Sequence, residues 1–243
     1  MDKYGLVGKD ISYSFSRDYF KNKFEKEQIT ASYQNFDLPS LSNFREVITK
    51  EAQLKGLNVT IPYKEAILPF LDQIDEQAAN IGAVNTIQIK NRRLVGYNTD
   101  CFGFMKSLFP LLEKQHTDAL ILGTGGASKA ICYALKSLGI DYTFVSRNPS
   151  KGNLSYTEVT QEVLQKNFLI INCTPLGTYP NLDEAPAIPY DFLDHRHLLF
   201  DLVYNPPLST FLANGKVRGS KLCNGQKMLE YQAERSWQIW NEA

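Results

Sequence analysis

The sequence predicts an α/β fold in two domains, and three observations predict it. Short apolar runs of strand length alternate with stretches of helical periodicity along all 243 residues. That length is long for one compact domain and comfortable for two small ones. The character of the chain also changes near residues 100 and 101. Beyond that point an apolar run leads straight into a glycine-rich turn and a helical pattern. The expected division is 1–100 for the first domain and 101–225 for the second, with a final helix over 226–243 packing back on the first.

In the first half, strands are expected at 4–7, 33–36 and 57–59, with amphipathic helices over 19–27 and 41–51 between them. Residues 86–89 and 94–97 flank Asn91-Arg92 and read as a hairpin. In the second half, 119–122 is a buried strand and 129–138 a helix that Gly139 should stop. Further strands are expected at 142–145, 168–172 and 198–202. Strand, helix and strand with short connections make a right-handed parallel unit. His195-Arg196-His197 reads as a polar loop ahead of the last of these strands.

Composition excludes several classes of function. Lysine plus arginine total 26, as do aspartate plus glutamate, so the formal charge is zero. Nothing in that balance calls for a nucleic acid or an anionic membrane as partner. No run approaches the ~20 apolar residues of a membrane span. Met1-Asp2-Lys3-Tyr4-Gly5 does not read as a signal peptide. The four cysteines have no CxxC pairing or metal-ligand spacing and read as isolated thiols in a reducing cytoplasm. With three histidines, no metal site is expected.

Gly123-Thr124-Gly125-Gly126-Ala127-Ser128 stands between a buried strand and a helix. Glycines there permit a tight turn and a close backbone approach to a pyrophosphate, and the helix N-terminus offers N–H groups and a positive dipole end. The next strand ends Val145-Ser146-Arg147-Asn148-Pro149-Ser150-Lys151, with no carboxylate to hold a ribose 2′-hydroxyl. Arg147 and Lys151 are cationic instead, and a guanidinium suits a phosphate. The expected cofactor is therefore NADP rather than NAD.

Three stretches of the first half are rich in groups that would hold a polyhydroxylated carboxylate. Ser14 and Ser16 share one side if their segment is extended. Asn58-Val59-Thr60-Ile61-Pro62-Tyr63-Lys64-Glu65 puts a lysine just past a strand, where Pro62 would ordinarily start a helix. Gly82-Ala83-Val84-Asn85-Thr86 and Asn98-Thr99-Asp100 add amides, hydroxyls and a carboxylate, the latter ordinarily a turn.

These motifs and the glycine turn, in this order, resemble those of the shikimate dehydrogenases (the shikimate/quinate dehydrogenase family), and the match covers almost the whole chain. The resemblance implies an N-terminal α/β substrate domain, a Rossmann-type dinucleotide-binding domain and a cleft between them. It implies reversible NADP-dependent reduction of 3-dehydroshikimate to shikimate in aromatic amino-acid biosynthesis, by a cytoplasmic enzyme. By resemblance, Lys64 is the catalytic acid/base with Asp100 beside it. Ser14 and Ser16 hold the substrate carboxylate, and Thr60, Asn85, Tyr204 and Gln232 contact the rest of the substrate. Gly123, Thr124, Gly125, Gly126, Ala127, Ser146, Arg147 and Lys151 hold the cofactor, with Leu202 and Gly225 at the nicotinamide. The partner is the small-molecule substrate alone, with the chain a monomer or homodimer. The sequence departs from the family pattern at Arg17, Cys101, Ser146-Arg147-Asn148, Lys151 and Asn224. The alternatives are an enzyme that takes quinate or NAD, another reductase on a glycine-rich α/β fold, and a catalytically silent cofactor-binding regulator.

Overall fold

A computed structural model describes residues 1–12, 14–148 and 153–242. The chain divides into two compact units, Met1–Thr99 with Ala233–Ala243, and Asp100–Gln232. The division falls inside the last helix rather than before it: residues 226–232 group with the second unit and the remainder with the first.

The first unit is built on a six-stranded mixed sheet. Its strands are β1 (Asp2–Gly8), β2 (Ala31–Asp37), β3 (Leu54–Val59), β4 (Gln73–Ile74), β5 (Thr86–Lys90) and β6 (Arg93–Tyr97), in the order β2-β1-β3-β5-β6-β4. β1 runs parallel to β2 and β3, and β5 is antiparallel to β3 and β6. The β5–β6 hairpin turns at Asn91 and Arg92, both at positive φ (51° and 64°), the geometry of a two-residue hairpin loop. The helices are α1 (Phe15–Lys26), α2 (Phe44–Lys50) and α3 (Glu76–Ile81).

Because strand side chains alternate between faces, the sheet has two cores. One gathers Val7, Leu57, Val59, Ile67 and Ile87 with Phe44 of α2 and Ala78 of α3. The other is aromatic: Tyr4 and the α1 residues Phe20 and Phe24 pack with Ala233 and Trp240 of the last helix, α8 (Gln226–Asn241). The Trp240 ring lies against Gly56, where any Cβ would sit 2.3 Å from the indole, and its Nε1 donates to Ile87 O at 3.0 Å.

The second unit carries a parallel five-stranded sheet, β7 (Asp118–Leu122), β8 (Asp141–Val145), β9 (Leu169–Asn172), β10 (Leu198–Asp201) and β11 (Lys221–Cys223), in the order β11-β10-β9-β7-β8. Helices α4 (Thr99–Leu108), α5 (Gly126–Ser137), α6 (Gln161–Lys166) and α7 (Thr210–Val217) complete it. Leu120, Leu122, Ile170 and Leu199 face Leu164 of α6 and Phe211 of α7. From the opposite face Phe200 meets Phe104 of α4, with ring centroids 4.8 Å apart. Helix α5 ends at Gly139, where Ile140 N reaches back to Leu135 O (2.9 Å).

Two expectations are corrected, and two ordinary local readings fail with them. No helix starts at Pro62: residues 61–67 form turns, and the Lys64 carbonyl accepts from Val84 N (2.8 Å) instead of from a helical amide. The segment through Ser16 is not extended: Ser14 is the N-cap of α1 and Ser16 lies in its first turn. Asn98-Thr99-Asp100 is not a free turn but the start of α4. His195 and Arg196 do form a turn, yet His197 is wholly buried, with Nε2 3.1 Å from Leu164 O and Nδ1 3.2 Å from Asp194 Oδ1. Among the described residues, no helix is long and apolar enough to cross a membrane.

Removing the Trp240 ring takes away a hydrogen bond and the centre of the aromatic core. Trp240→Ala is expected to lower unfolding stability by about 3–5 kcal/mol in urea titrations; a loss below ~1 kcal/mol contradicts this packing.

Candidate active site

Both units bring sequence-predicted residues to the carboxyl ends of strands. In the first unit, β3 runs out into Thr60 and the Lys64 turn, and β5 starts just after Asn85. Lys64 and Thr60 are half-buried, while Asn85 is buried. The Asn85 side chain is held at both ends: Nδ2 donates to Thr99 Oγ1 (3.0 Å), and Oδ1 accepts from Thr99 N (2.7 Å), which caps α4. Asn98 Nδ2 donates to Ala83 O (2.9 Å).

Around this pair lies a buried polar network that the sequence reading missed. Asn58 Nδ2 donates to Ser236 Oγ of α8 (2.9 Å), and Thr86 Oγ1 is 2.8 Å from the same hydroxyl and 3.1 Å from Thr99 Oγ1. Tyr33 OH donates to Asn58 Oδ1 (2.9 Å) and has Ser16 as its other hydrogen-bonding neighbour; burial pushes its pKa up. Asn58, Thr86 and Thr99 stand in the quoted motifs, but nothing local shows that they bond one another, and Ser236 carries no signal at all.

At the N-terminus of α1, Ser14 makes no side-chain capping bond, and its buried Oγ has no hydrogen-bond partner among the described residues. A buried hydroxyl without a partner costs free energy, and a helix N-terminus favours an anion. Ser14 and Ser16 therefore stand at a place chemically suited to a carboxylate. Asp100 is buried in the first turn of α4. Its charge and, more strongly, burial push the Cys101 thiol up to about 11, and that thiol packs 3.9 Å from Met105 Sδ. One Tyr-x-x-x-Lys spacing, which another class of reductase would use for catalysis, occurs at Tyr19 and Lys23. Both hydrogen-bond Glu234 on α8, so the pair ties α1 to the last helix.

In the second unit, a cavity of about 530 Å³ opens at the carboxyl ends of β7, β8 and β9. Its lining includes Gly123, Thr124, Gly125, Ser146 and Arg147 from the predicted set. Gly123 has φ +97°, and a Cβ there would lie 2.8 Å from Thr174 Cγ2, so both conformation and space call for glycine. Gly125, the N-cap of α5, and Gly126 face open space. The first N–H groups of a helix lack intrahelical partners, so this end can receive a pyrophosphate. Arg147 is exposed at the cavity edge, and Ser146 Oγ accepts from Asn148 N (3.1 Å). Lys151 lies outside the described residues.

Gly126, Ala127, Leu202 and Gly225 are not among the residues that line this cavity. Leu202 and Gly225 pack on each other: a Cβ on Gly225 would meet Leu202 O at 2.3 Å. Tyr204 is half-buried, and Gln232 is buried with Nε2 donating to Leu229 O (3.1 Å). The opposite wall of the cavity, including Tyr156, Thr174, Leu176 and Ala185, was not foreseen. Thr174, Leu176 and Ala185 come from the chain after β9 and Tyr156 from the connection after β8, and only the strand order reveals that β9 neighbours β7.

Beside this wall sits a carboxylate that the sequence reading also passed over. Asp201, at the end of β10, is completely buried. Its Oδ1 accepts from Asn172 Nδ2 (2.9 Å) and Val203 N (3.0 Å), and its Oδ2 from Ser209 Oγ. Desolvation raises its pKa from 3.8 to about 6 despite those three donors.

A parallel sheet with a glycine turn before a helix N-terminus and a cationic strand end defines a Rossmann-type dinucleotide-binding domain, here joined to a second α/β unit. Residues 6–87 match the family model of the shikimate dehydrogenase substrate binding domain. The chain is 39% identical to the shikimate dehydrogenase (NADP(+)) of Clostridium botulinum, over 97% of this chain and 95% of that one. The Peptoclostridium difficile shikimate dehydrogenase 1 structure aligns with a TM-score of 0.83 at 38% identity, covering 99% and 91%. The Thermus thermophilus shikimate 5-dehydrogenase, solved in complex with NADP(H) and shikimate, aligns with a TM-score of 0.88 at 29% identity, covering 99% and 94%. The chain belongs to the shikimate dehydrogenase family.

The raised Asp201 pKa has a defined effect on stability. Because the folded-state value lies above the unfolded one, the carboxyl's contribution is complete below about pH 4 and is lost as pH rises through 6. A rise from 3.8 to about 6 corresponds to about 3 kcal/mol. Asp201→Asn, which stays neutral, is therefore expected to be no less stable than the parent at pH 8 in cofactor-free urea unfolding. Its relative standing should fall at pH 5. A variant several kcal/mol less stable at pH 8 contradicts this.

Proposed function

We propose that the chain catalyses the reversible NADP-dependent reduction of 3-dehydroshikimate to shikimate. The carrying observation is the combination, in one chain, of a glycine-lined cavity edged by Arg147 and a second set of polar groups around Lys64, Asn85 and Ser14. The cavity is of a size to hold part of a dinucleotide, and the open space at Gly125 and Gly126 suits a pyrophosphate at the start of α5. Arg147, with Lys151, is assigned to the 2′-phosphate. Gly123, Thr124, Ala127 and Ser146 serve the same cofactor, and Leu202 and Gly225 its nicotinamide end. When bound, NADP supplies the hydride or accepts it.

The remaining work falls to side chains. Ser14 and Ser16 bind the substrate carboxylate at the N-terminus of α1. Asn85, fixed by Thr99, and Thr60 hold ring hydroxyls, with Tyr204 and Gln232 as further contacts. As carbon 3 of shikimate gives up its hydride, the hydroxyl on that carbon must lose a proton, and Lys64 takes it; in the reducing direction Lys64 returns it to the nascent alkoxide. Asp100 orients Lys64 and the reacting hydroxyl. The closed polar network through Asn58, Thr86 and Ser236 keeps Asn85 and the start of α4 in place.

The roles separate in kinetics. Lys64→Ala is expected to cut turnover roughly 10²–10⁴-fold while NADPH affinity stays within about twofold. Arg147→Ala is expected to weaken NADPH binding by roughly tenfold or more and leave NADH binding unchanged. Full turnover in the lysine variant, or equal loss of both cofactors in the arginine variant, contradicts the assignment.

A further inference from the structure

The geometry points to Asp201 as the positioning residue of the cofactor site: through Asn172, Val203 and Ser209 its carboxylate fixes the start of the loop that leaves β9 and both ends of the loop that joins β10 to α7. This inference rests on the reading of the cavity as the NADP site.

Each arm is explicit. Asn172 receives Asp201 Oδ1 on its Nδ2 and so presents Oδ1 to the next loop, where it accepts from Thr174 N (3.0 Å) and Thr174 Oγ1 (2.6 Å). Thr174 lines the cavity and closes on Gly123. Thr174 Oγ1 in turn accepts from Leu176 N (3.3 Å), and Leu176 lines the same wall. On the second arm, Val203 N donates to Asp201 Oδ1, and Val203 O accepts from Gly225 N (3.1 Å). That arm fixes the backbone between Leu202 and Tyr204. On the third arm, Ser209 donates to Asp201 Oδ2 and accepts from Leu212 N (3.3 Å) at the start of α7. Its Cβ also lies 3.2 Å from where a Cβ on Gly177 would stand.

Ionised, the carboxylate accepts from all three donors with an acceptor position to spare. Protonated, Asp201 has one acceptor position fewer and a proton to place among groups that are themselves donating. Its carboxyl titrates near pH 6. The titratable neighbours that feel its charge are Cys173 on the β9 side and Tyr190, and burial pushes both upward, so both are neutral across pH 5–8. An ionised carboxylate that costs stability and organises a binding wall is a trade of stability for function.

The test is the dissociation constant of NADPH, read from the fluorescence of the bound cofactor, for the parent, Asp201→Asn and Ser209→Ala between pH 5 and 8. Taking the ratio of variant to parent at each pH cancels the titration of the cofactor's own phosphate. For Asp201→Asn the expected ratio is about tenfold at pH 7.5 and falls towards one at pH 5, where the parent has lost its charge too. Ser209→Ala keeps the carboxylate but removes a donor that holds its pKa down. Its ratio is expected to exceed one most strongly between pH 6 and 7, and this arm stands even if the asparagine variant does not fold. A ratio of one at pH 7.5 for Asp201→Asn, or a ratio independent of pH for either variant, overturns the inference. Failure of the parent itself to bind NADPH would instead overturn the reading of the cavity.

Discussion

Strands that run parallel all end on one side of their sheet, and the second unit is organised by that constraint. The glycine turn follows β7, the Ser146–Arg147 end follows β8, and the Thr174 loop follows β9. The order β11-β10-β9-β7-β8 places β8 on one side of β7 and β9 on the other. Connections therefore diverge at β7, and the crevice left there is where open α/β sheets hold ligands. The cavity is a result of topology before it is a result of any one side chain.

The ends of parallel strands are also where backbone and side-chain polar groups run out of ladder partners, and a buried group must find one elsewhere. The two units meet this demand in different ways. In the second, one carboxylate gathers donors from three segments. In the first, neutral groups close on one another: Asn58, Thr86, Thr99, Ser236 and Asn85 satisfy one another without a charge. A neutral network carries less desolvation cost than an ion.

Much of this was legible in the sequence, for reasons that can be named. The glycine turn, the Gly139 helix stop and the Asn91-Arg92 hairpin are local signals, set by backbone conformations that few residues adopt, and the structure has all three. Strands β1, β3, β7, β9 and β10 carry buried apolar runs that periodicity reads directly. Helices α3 and α6, of six residues each, offer too few turns for a pattern. Helix α4 was hidden because Asn98-Thr99-Asp100 is turn-like in isolation and becomes a helix start only when Asn85 Oδ1 receives Thr99 N. Ser236, Asn172, Ser209 and Asp201 were passed over for the same reason: their roles depend on partners distant in sequence. Ser14 shows the opposite case, a residue named from its motif whose environment, a buried hydroxyl without a partner among the described residues, gives that naming a physical ground.

A single absorbance measurement tests the proposed union of an NADP cavity with a ring-alcohol site. Purified protein is mixed with shikimate, quinate or neither, once with NADP+ and once with NAD+, and the appearance of reduced nicotinamide is followed. Rapid NADPH formation with shikimate, little with quinate and little with NAD+, is the result the account predicts. Reduction mainly with quinate or NAD+, or none under any condition, would contradict it.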